Sequence, residues 1–447
     1  MSKTIASLFL FSLSLTTMFA QDSLQTKLWT LDDCMSYAVE NSHRVHQQQY
    51  TYKNYQEDLH ASVGAFFPSL SAGTGAQYSY GRSIDPETNT YKNTTTFSNA
   101  YQLTLSVPVF DGGQIFNQWR QAKINRNMGK NDLQKAKDDL AIETMRAFTD
   151  VVYYRRMTEL MRDKLAESNR TLYKISRQEE LGLKGKADVA QIEAQVATDD
   201  YNLTHQQNLY NTAMMTLKQK MNFPTTETLS VDTMIANLGL PENSSVEDVY
   251  SHAADTNPTA LQATFKYESS RMDYQIAKSR LFPRISFNAG VSTDYFDNLK
   301  AETSGQSFSS QFKNNRGEYL YMSLSFPLFD NLTRITTLRK ARNSMRIASE
   351  NQQEVMRQLH TDIEQSLLDY AGYAKELVQM EKKVVADELA YKVTLRKFEE
   401  GLMSPLDLQT SSNTLLESRA NLVQKKLLYL LSDRLVEYYK GNKIIRN

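Results

Sequence analysis

Cysteine is almost missing from this sequence: Cys34 is the only one in 447 residues, so no disulfide can form within the chain. Its absence neither marks nor excludes an oxidising compartment. Proline is scarce where it would matter most, with none between Pro108 and Pro224 and none between Pro327 and Pro405. Gly129 and Gly372 are nearly the only glycines inside the helices those stretches would form, so long unbroken helices are permitted. A charge excess is lacking too. The 51 basic residues balance the 51 acidic ones, without the surplus that nucleic-acid binding usually demands. Beyond the first 20 residues no apolar run is long enough to span a bilayer as a helix, and the mean hydropathy of -0.53 agrees. If this chain enters a membrane, it does so as strands.

Chemistry-bearing motifs are equally thin. His43 and His46 stand three apart on one helix, but His60, His205, His252 and His360 supply no third ligand at a recognisable spacing. Asp32-Asp33 and Asp138-Asp139 read as solvated helix charge. No glycine-rich phosphate loop and no Gly-x-Ser-x-Gly elbow occurs, and the methionines are scattered as core packing rather than clustered for copper. An enzyme is not expected, nor a cofactor, nor a bound metal.

What is present begins with Met1 to Ala20, one early lysine and an apolar run from Ile5 through Leu15 ahead of the polar Gln21-Asp22. This pattern predicts a secretory signal peptide over 1–20, cut at or near Ala20. Cys34 lies too deep to be a lipid-anchored new N-terminus.

Heptads organise much of the remainder. Met356, Ile363, Tyr370, Leu377, Val384, Tyr391 and Phe398 recur every seven residues, as do Leu408, Leu415, Leu422, Tyr429 and Val436. That beat predicts two long helices packed as a coiled coil, folding back at Gly401-Leu402-Met403-Ser404-Pro405. The same plan occurs earlier. Val189, Val196, Leu203, Tyr210 and Leu217 stand one constant interval before the second seam, and Gly182 and Asp188 stand that interval before Gly401 and Asp407. Phe67-Pro68 and Phe282-Pro283 repeat as well, as do Val107-Pro108-Val109-Phe110-Asp111 and Phe326-Pro327-Leu328-Phe329-Asp330. The chain is a duplication. It predicts a first repeat over 21–221, with a helix, strands near 68–80 and 99–109, a long helix over 114–180 and a helix over 186–221. A linker over 222–245 leads to a second repeat over 246–440, with a helix, strands near 284–295 and 318–328, a long helix over 331–400 and a helix over 405–440. A tail over 441–447 follows.

Between the helical parts the period changes to two. Tyr101, Leu103, Leu105, Val107 and Val109 alternate with polar residues, as do Leu320, Met322, Leu324, Phe326 and Leu328. The helices already commit their apolar stripes to each other, so these strands have no soluble core left to cover. Their length of about 10 residues matches a tilted bilayer-crossing strand. Leu105 and Leu324 would then face lipid and Thr104 and Ser323 a lumen, with Tyr78, Tyr80, Tyr101, Tyr295, Tyr319 and Tyr321 as an interfacial girdle. Four strands cannot close a barrel, and lipid tolerates no open sheet edge, so the chain must oligomerise as a dimer, trimer or tetramer.

The signal peptide, the duplicated halves, the Val107-to-Gly113 strand exit and the glycine breaks followed by aspartate together resemble the TolC family of outer-membrane efflux proteins. The resemblance covers essentially the whole mature chain. It implies a mainly α fold, with long coiled-coil hairpins forming a periplasmic α-barrel that continues a trimeric 12-stranded β-barrel in outer-membrane lipid. It implies a passive exit duct for tripartite efflux or type I secretion. It further implies a homotrimer that docks a periplasmic adaptor protein and an inner-membrane pump through the tip residues Gly182, Leu183, Gly401, Leu402, Met403 and Ser404. The linker and tail resemble the family's equatorial belt. Asp188 and Asp407 match acidic positions of the tip gate. Phe398 stands where the family has a tyrosine, Met403 where it has arginine and Thr410 where it has a second acid, so closure here is expected to rest on apolar packing. The rival readings are a soluble periplasmic coiled-coil adaptor or scaffold, and an exported enzyme.

Overall fold

A computed structural model describes residues 27–85, 88–234, 244–300 and 306–446. The expected signal peptide and the middle of the linker lie outside the described residues.

The first repeat opens with the short strand β1 (Leu28–Trp29), then α1 (Leu31–Asn41) and α2 (His43–Gly64). The strands β2 (Ser69–Asp85) and β3 (Thr90–Phe110) follow, then α3 (Gln114–Glu180) and α4 (Lys186–Met221). The linker contributes β4 (Ser230–Val231), which lies parallel to β1. The second repeat runs through α5 (Val246–Thr256), α6 (Pro258–Ser279), β5 (Arg284–Asn298), α7 (Phe308–Asn314), β6 (Gly317–Ser325), α8 (Thr333–Glu399) and α9 (Pro405–Tyr439).

The duplication is visible in lengths as well as order. Helices α1 and α5 each have 11 residues, α2 and α6 each 22, and α3 and α8 each 67. At 1.5 Å per residue the longest helices are rods of about 100 Å. Their starts are built alike. After β3 the chain turns through Gly112 and Gly113, both at positive φ, while the Asp111 carboxylate accepts from the N–H groups of Gly113 and Ile115 at 3.0 and 2.7 Å. A Cβ on Gly112 would lie 2.3 Å from the Ser279 carbonyl oxygen, so a glycine is required there. In the second repeat Asp330 accepts from the Arg334 N–H at 3.0 Å, and Asn331 and Leu332 take the left-handed conformation themselves.

The heptad seam is the core of the rods: Ile363, Phe398, Leu408, Leu415, Tyr429 and Val436 are buried. Midway along, a larger cluster gathers Met35, Met145, Val151, Leu217 and Met221 with Phe223, Leu229 and Val231 of the linker and Ile444 of the tail. Trp29, Tyr37 and Phe223 meet there with ring centroids 5.3 to 5.6 Å apart. Arg434 adds a two-pronged bond to Asp32 at 3.2 and 3.0 Å, tying the first helix to the last.

At one end of the rods the four long strands form a single sheet in the order β2-β3-β5-β6, every neighbour antiparallel. Registered residues share a face. Leu70, Leu105, Ala289 and Leu320 form one row, and Ser71, Thr104, Gly290 and Tyr319 form a row on the opposite face. The register corrects the girdle. Tyr78, Tyr101 and Tyr295 belong to the apolar face, but Tyr319 and Tyr321 belong to the polar one, where the Tyr319 hydroxyl lies 3.0 Å from Thr104 Oγ1. Pro108 has no N–H for the ladder, and β3 bulges between Pro108 and Phe110. With 17 and 21 residues, β2 and β3 run well past the alternating stretch, whereas β6 has only 9. Beyond the end of β6 the helix α7 takes over its place. The Gln311 side-chain amide donates to the Phe296 carbonyl at 2.9 Å and accepts from the Phe296 N–H at 3.0 Å, as a strand partner would.

Candidate functional site

At the far end from the sheet, both hairpins turn through the same structure. Gly182 and Gly401 sit at φ 74 and 76, the left-handed state that ends a helix and that glycine enters without a steric cost. In each turn the next residue's N–H reaches back five positions, Leu183 to the Gln178 carbonyl and Leu402 to the Lys397 carbonyl, both at 2.8 Å. The glycine N–H groups close the inner ring to Glu179 at 2.8 Å and Phe398 at 3.0 Å. This is the Schellman arrangement, which satisfies carbonyls the helix end would leave bare. It leaves Leu181, Leu183, Leu402 and Leu406 exposed at the extremity, four aliphatic side chains with nothing from their own chain to cover them.

Helix α9 restarts at Ser404, whose hydroxyl and N–H both donate to the Asp407 carboxylate at 2.7 and 3.0 Å, while the Asp407 N–H donates back to the hydroxyl at 3.2 Å. Those bonds hold the Asp407 carboxyl below its usual range, the hydroxyl first and the N–H second. Asp188 takes the matching position in α4 and accepts from the Gly185 N–H at 3.2 Å, with no hydroxyl to reciprocate because residue 185 is glycine. Both aspartates therefore serve as helix-start acceptors. Phe398 is placed differently. It is buried against Ile175, Ile192 and Leu408, with Met403 and Tyr391 packed alongside, in an apolar cluster that joins all four helices just above the turns.

A polar layer lies next to this cluster. Lys164 donates to Ser412 Oγ, Ser168 to Asp199, Gln195 to Asp199 at 2.7 Å, and Gln409 to Gln195, linking α3 and α4 to α9. Burial pulls the Lys164 ammonium down from its ordinary pKa and pushes the neighbouring Glu167 carboxyl up. Sequence reading missed this layer. Its signal was a gap in the beat: Ser168 falls seven residues after Met161 and seven before Ile175, where an apolar residue is expected. A polar residue at such a position fixes register between helices at a cost in stability.

The His43 ring lies 3.3 Å from the Asn222 side-chain amide.

The model for "Outer membrane efflux protein" matches residues 35–222 and 249–434, one copy on each repeat. The chain belongs to the outer membrane efflux protein family. It is thus a TolC-type channel of the outer membrane and not an enzyme, and neither the soluble adaptor nor the exported enzyme survives.

Solved structures agree on the fold of this efflux channel. The outer membrane protein VceC of Vibrio cholerae superposes with a TM-score of 0.79 at 15% identity, covering 93% of this chain and 96% of that one. The CmeC outer membrane channel of Campylobacter jejuni gives 0.81 at 13% identity, over 92% and 85%. The MtrE outer membrane channel of Neisseria gonorrhoeae, in its open state, gives 0.73 at 15% identity, over 92% and 88%. No curated protein matches the sequence.

Proposed function

We propose that three copies of this efflux channel close one 12-stranded barrel and one helical tunnel, and that the tunnel tip docks a periplasmic adaptor that couples it to an inner-membrane pump. The observation that carries the reading is what a single chain leaves unpartnered. The edges of β2 and β6 are both open, and unpaired backbone groups in lipid cost several kcal/mol each. On α8, Leu368, Val378, Val385, Leu389 and Val393 stand exposed, a second apolar stripe that the chain's own seam does not use. Two copies would give eight strands, whose interior side chains fill, so a conduit needs at least three.

At the tip, Gly182, Leu183, Gly401, Leu402, Met403 and Ser404 are the proposed docking residues, since they present exposed leucines on a fixed turn. Asp188 and Asp407 are the proposed acidic positions of the gate, and Phe398 is its proposed apolar tie between hairpins. MtrE is seen in an open state, which favours a channel whose passage opens and closes. Such movement would separate the Phe398 cluster or the polar layer around Asp199.

A photo-reactive amino acid at Leu183 or Leu402 in living cells is expected to form an adduct with a periplasmic adaptor protein, whereas one at Leu320 on the sheet is not. Absence of any protein adduct from both tip positions, in channels that reach the outer membrane, contradicts the docking assignment.

A further inference from the structure

The first turns of α3 and α8, directly beneath the sheet, carry an arrangement that conduction and tip docking leave unused. On α3, Phe116, Trp119, Arg120 and Lys123 follow the spacing that aligns side chains on one helix face. The Arg120 guanidinium lies 5.0 Å from the centre of the Phe116 ring, and the Lys123 ammonium 5.9 Å from the Trp119 ring. The second repeat places Ile335, Leu338, Arg339 and Arg342 at the corresponding positions of α8, with Arg346 one turn further on, so the duplication keeps an apolar pair followed by two cations. No acidic residue occurs from Gln114 to Asn131 or from Thr333 to Ser349, although a helix start favours carboxylates.

The direction of the stripe follows from the sheet. Ile285 pairs with Leu324 on the apolar face, so Arg284 lies on the polar face, and it donates to the Gln114 side chain at 3.0 Å. Two residues along a helix turn about 200°, which puts Phe116 on the other side, continuous with the lipid-facing sheet. Phe116 and Ile335 are 47% and 44% exposed. Among the described residues, Arg120, Lys123, Arg339 and Arg346 form no ion pair. The carboxylates nearby are engaged elsewhere: Asp111 caps α3, Asp330 pairs with Arg334 at 3.0 Å, and Asp273 accepts from Gln121 at 2.7 Å.

We infer that these two stripes form a collar that binds anionic phospholipid headgroups in the membrane leaflet facing the helices. The aromatic and aliphatic members sit at the interface, and the cations below them take the lipid phosphates. An aromatic belt with adjoining Arg and Lys is what an anionic membrane surface attracts, and such a surface is the one occupant continuous with the barrel's lipid face. The inference rests on the outer-membrane placement of the sheet and not on the proposed adaptor, so failure of either leaves the other standing.

The test uses the purified, unheated full-length complex and native mass spectrometry with phosphatidylglycerol or phosphatidylcholine as the added lipid. The wild type is expected to retain phosphatidylglycerol in preference to phosphatidylcholine. The variant R120Q/K123Q/R339Q/R342Q is expected to lose at least about tenfold of that preference, with the complex intact, because each surface cation contributes on the order of fivefold. Neutralising four exposed lysines on the lower helices, K186Q/K375Q/K382Q/K397Q, is expected to change nothing, and R120K/R339K is expected to keep the preference. Equal retention of the two lipids by the wild type, full preference in the collar variant, or the same loss in the lysine control each overturns the collar.

Discussion

Leu105→Arg or Leu324→Arg is expected to abolish assembly in the outer membrane, while Ser323→Arg at the neighbouring position still yields a heat-modifiable complex. Leu105 shares its row with Leu70, Ala289 and Leu320, and Leu324 pairs with Ile285, so both lie on the face that a lone chain leaves apolar and open. A cation on that face at mid-bilayer costs roughly 2 to 4 kcal/mol per chain, and every chain in the complex would carry it. Ser323 points the other way, beside Ser286, where an arginine meets water. Thr104→Arg also reaches the lumen but breaks the contact with the Tyr319 hydroxyl, so a mild defect is expected there. The check is membrane fractionation followed by gels of unheated and heated samples. Equal loss for the leucine and serine variants would mean that the assignment of lipid and lumen faces, or of the sheet to the membrane, is wrong.

Gly401→Val is expected to abolish export at an undiminished level of assembled complex. A Cβ on Gly401 would meet nothing within 4 Å, so the defect comes from the backbone and not from a clash. At φ 76 a β-branched residue is strained by about 1 to 3 kcal/mol, and the turn can relieve this only by moving. Moving it re-aims Leu402 and draws Met403 away from the cluster around Phe398. Gly401→Asn is expected to restore most of the export, because asparagine visits the left-handed region readily. The comparison requires an export assay on cells expressing each variant at the wild-type level. Normal export by Gly401→Val, or equal failure of Gly401→Asn and Gly401→Val, would show that the turn geometry is not what the tip requires.

The tip turns and the rods were legible in the sequence because each depends on a local rule. Gly182 and Gly401 announce left-handed positions, the missing prolines permit the helices, and the seven-residue beat marks the residues that end up buried. The apolar stretch of each strand was legible for the same reason. Where the chain leaves the bilayer, that reason vanishes. From Tyr91 to Ser98 the strand β3 needs no apolar face, so these residues fall outside the strand expected near 99–109 although they pair in full with β2. Helix α7 was hidden for a different reason: it forms against the free edge of β5, a tertiary context that no seven-residue segment encodes alone. The faces of Tyr319 and Tyr321 were misassigned because a girdle was drawn from residue type, while pairing with Gly290 and Asn288 decides which way they point. The polar layer was obscured because Lys164, Gln195 and Asp199 look like ordinary solvated helix residues until the second hairpin closes over them.

In the proposed trimer, identical chains seal one conduit by joining the free edge of β6 to the free edge of β2 in the next copy. The most direct test places one cysteine at Ser71 in β2 and one at Ser323 in β6, both on the polar face, and treats membranes with a short bifunctional thiol reagent. Cys34 will not compete, since it is buried and its thiol is pushed up to about 12. The expected product is a cross-linked ladder that stops at three chains and requires both cysteines. A ladder ending at two chains, or none in protein that has reached the outer membrane, would contradict the proposed trimer.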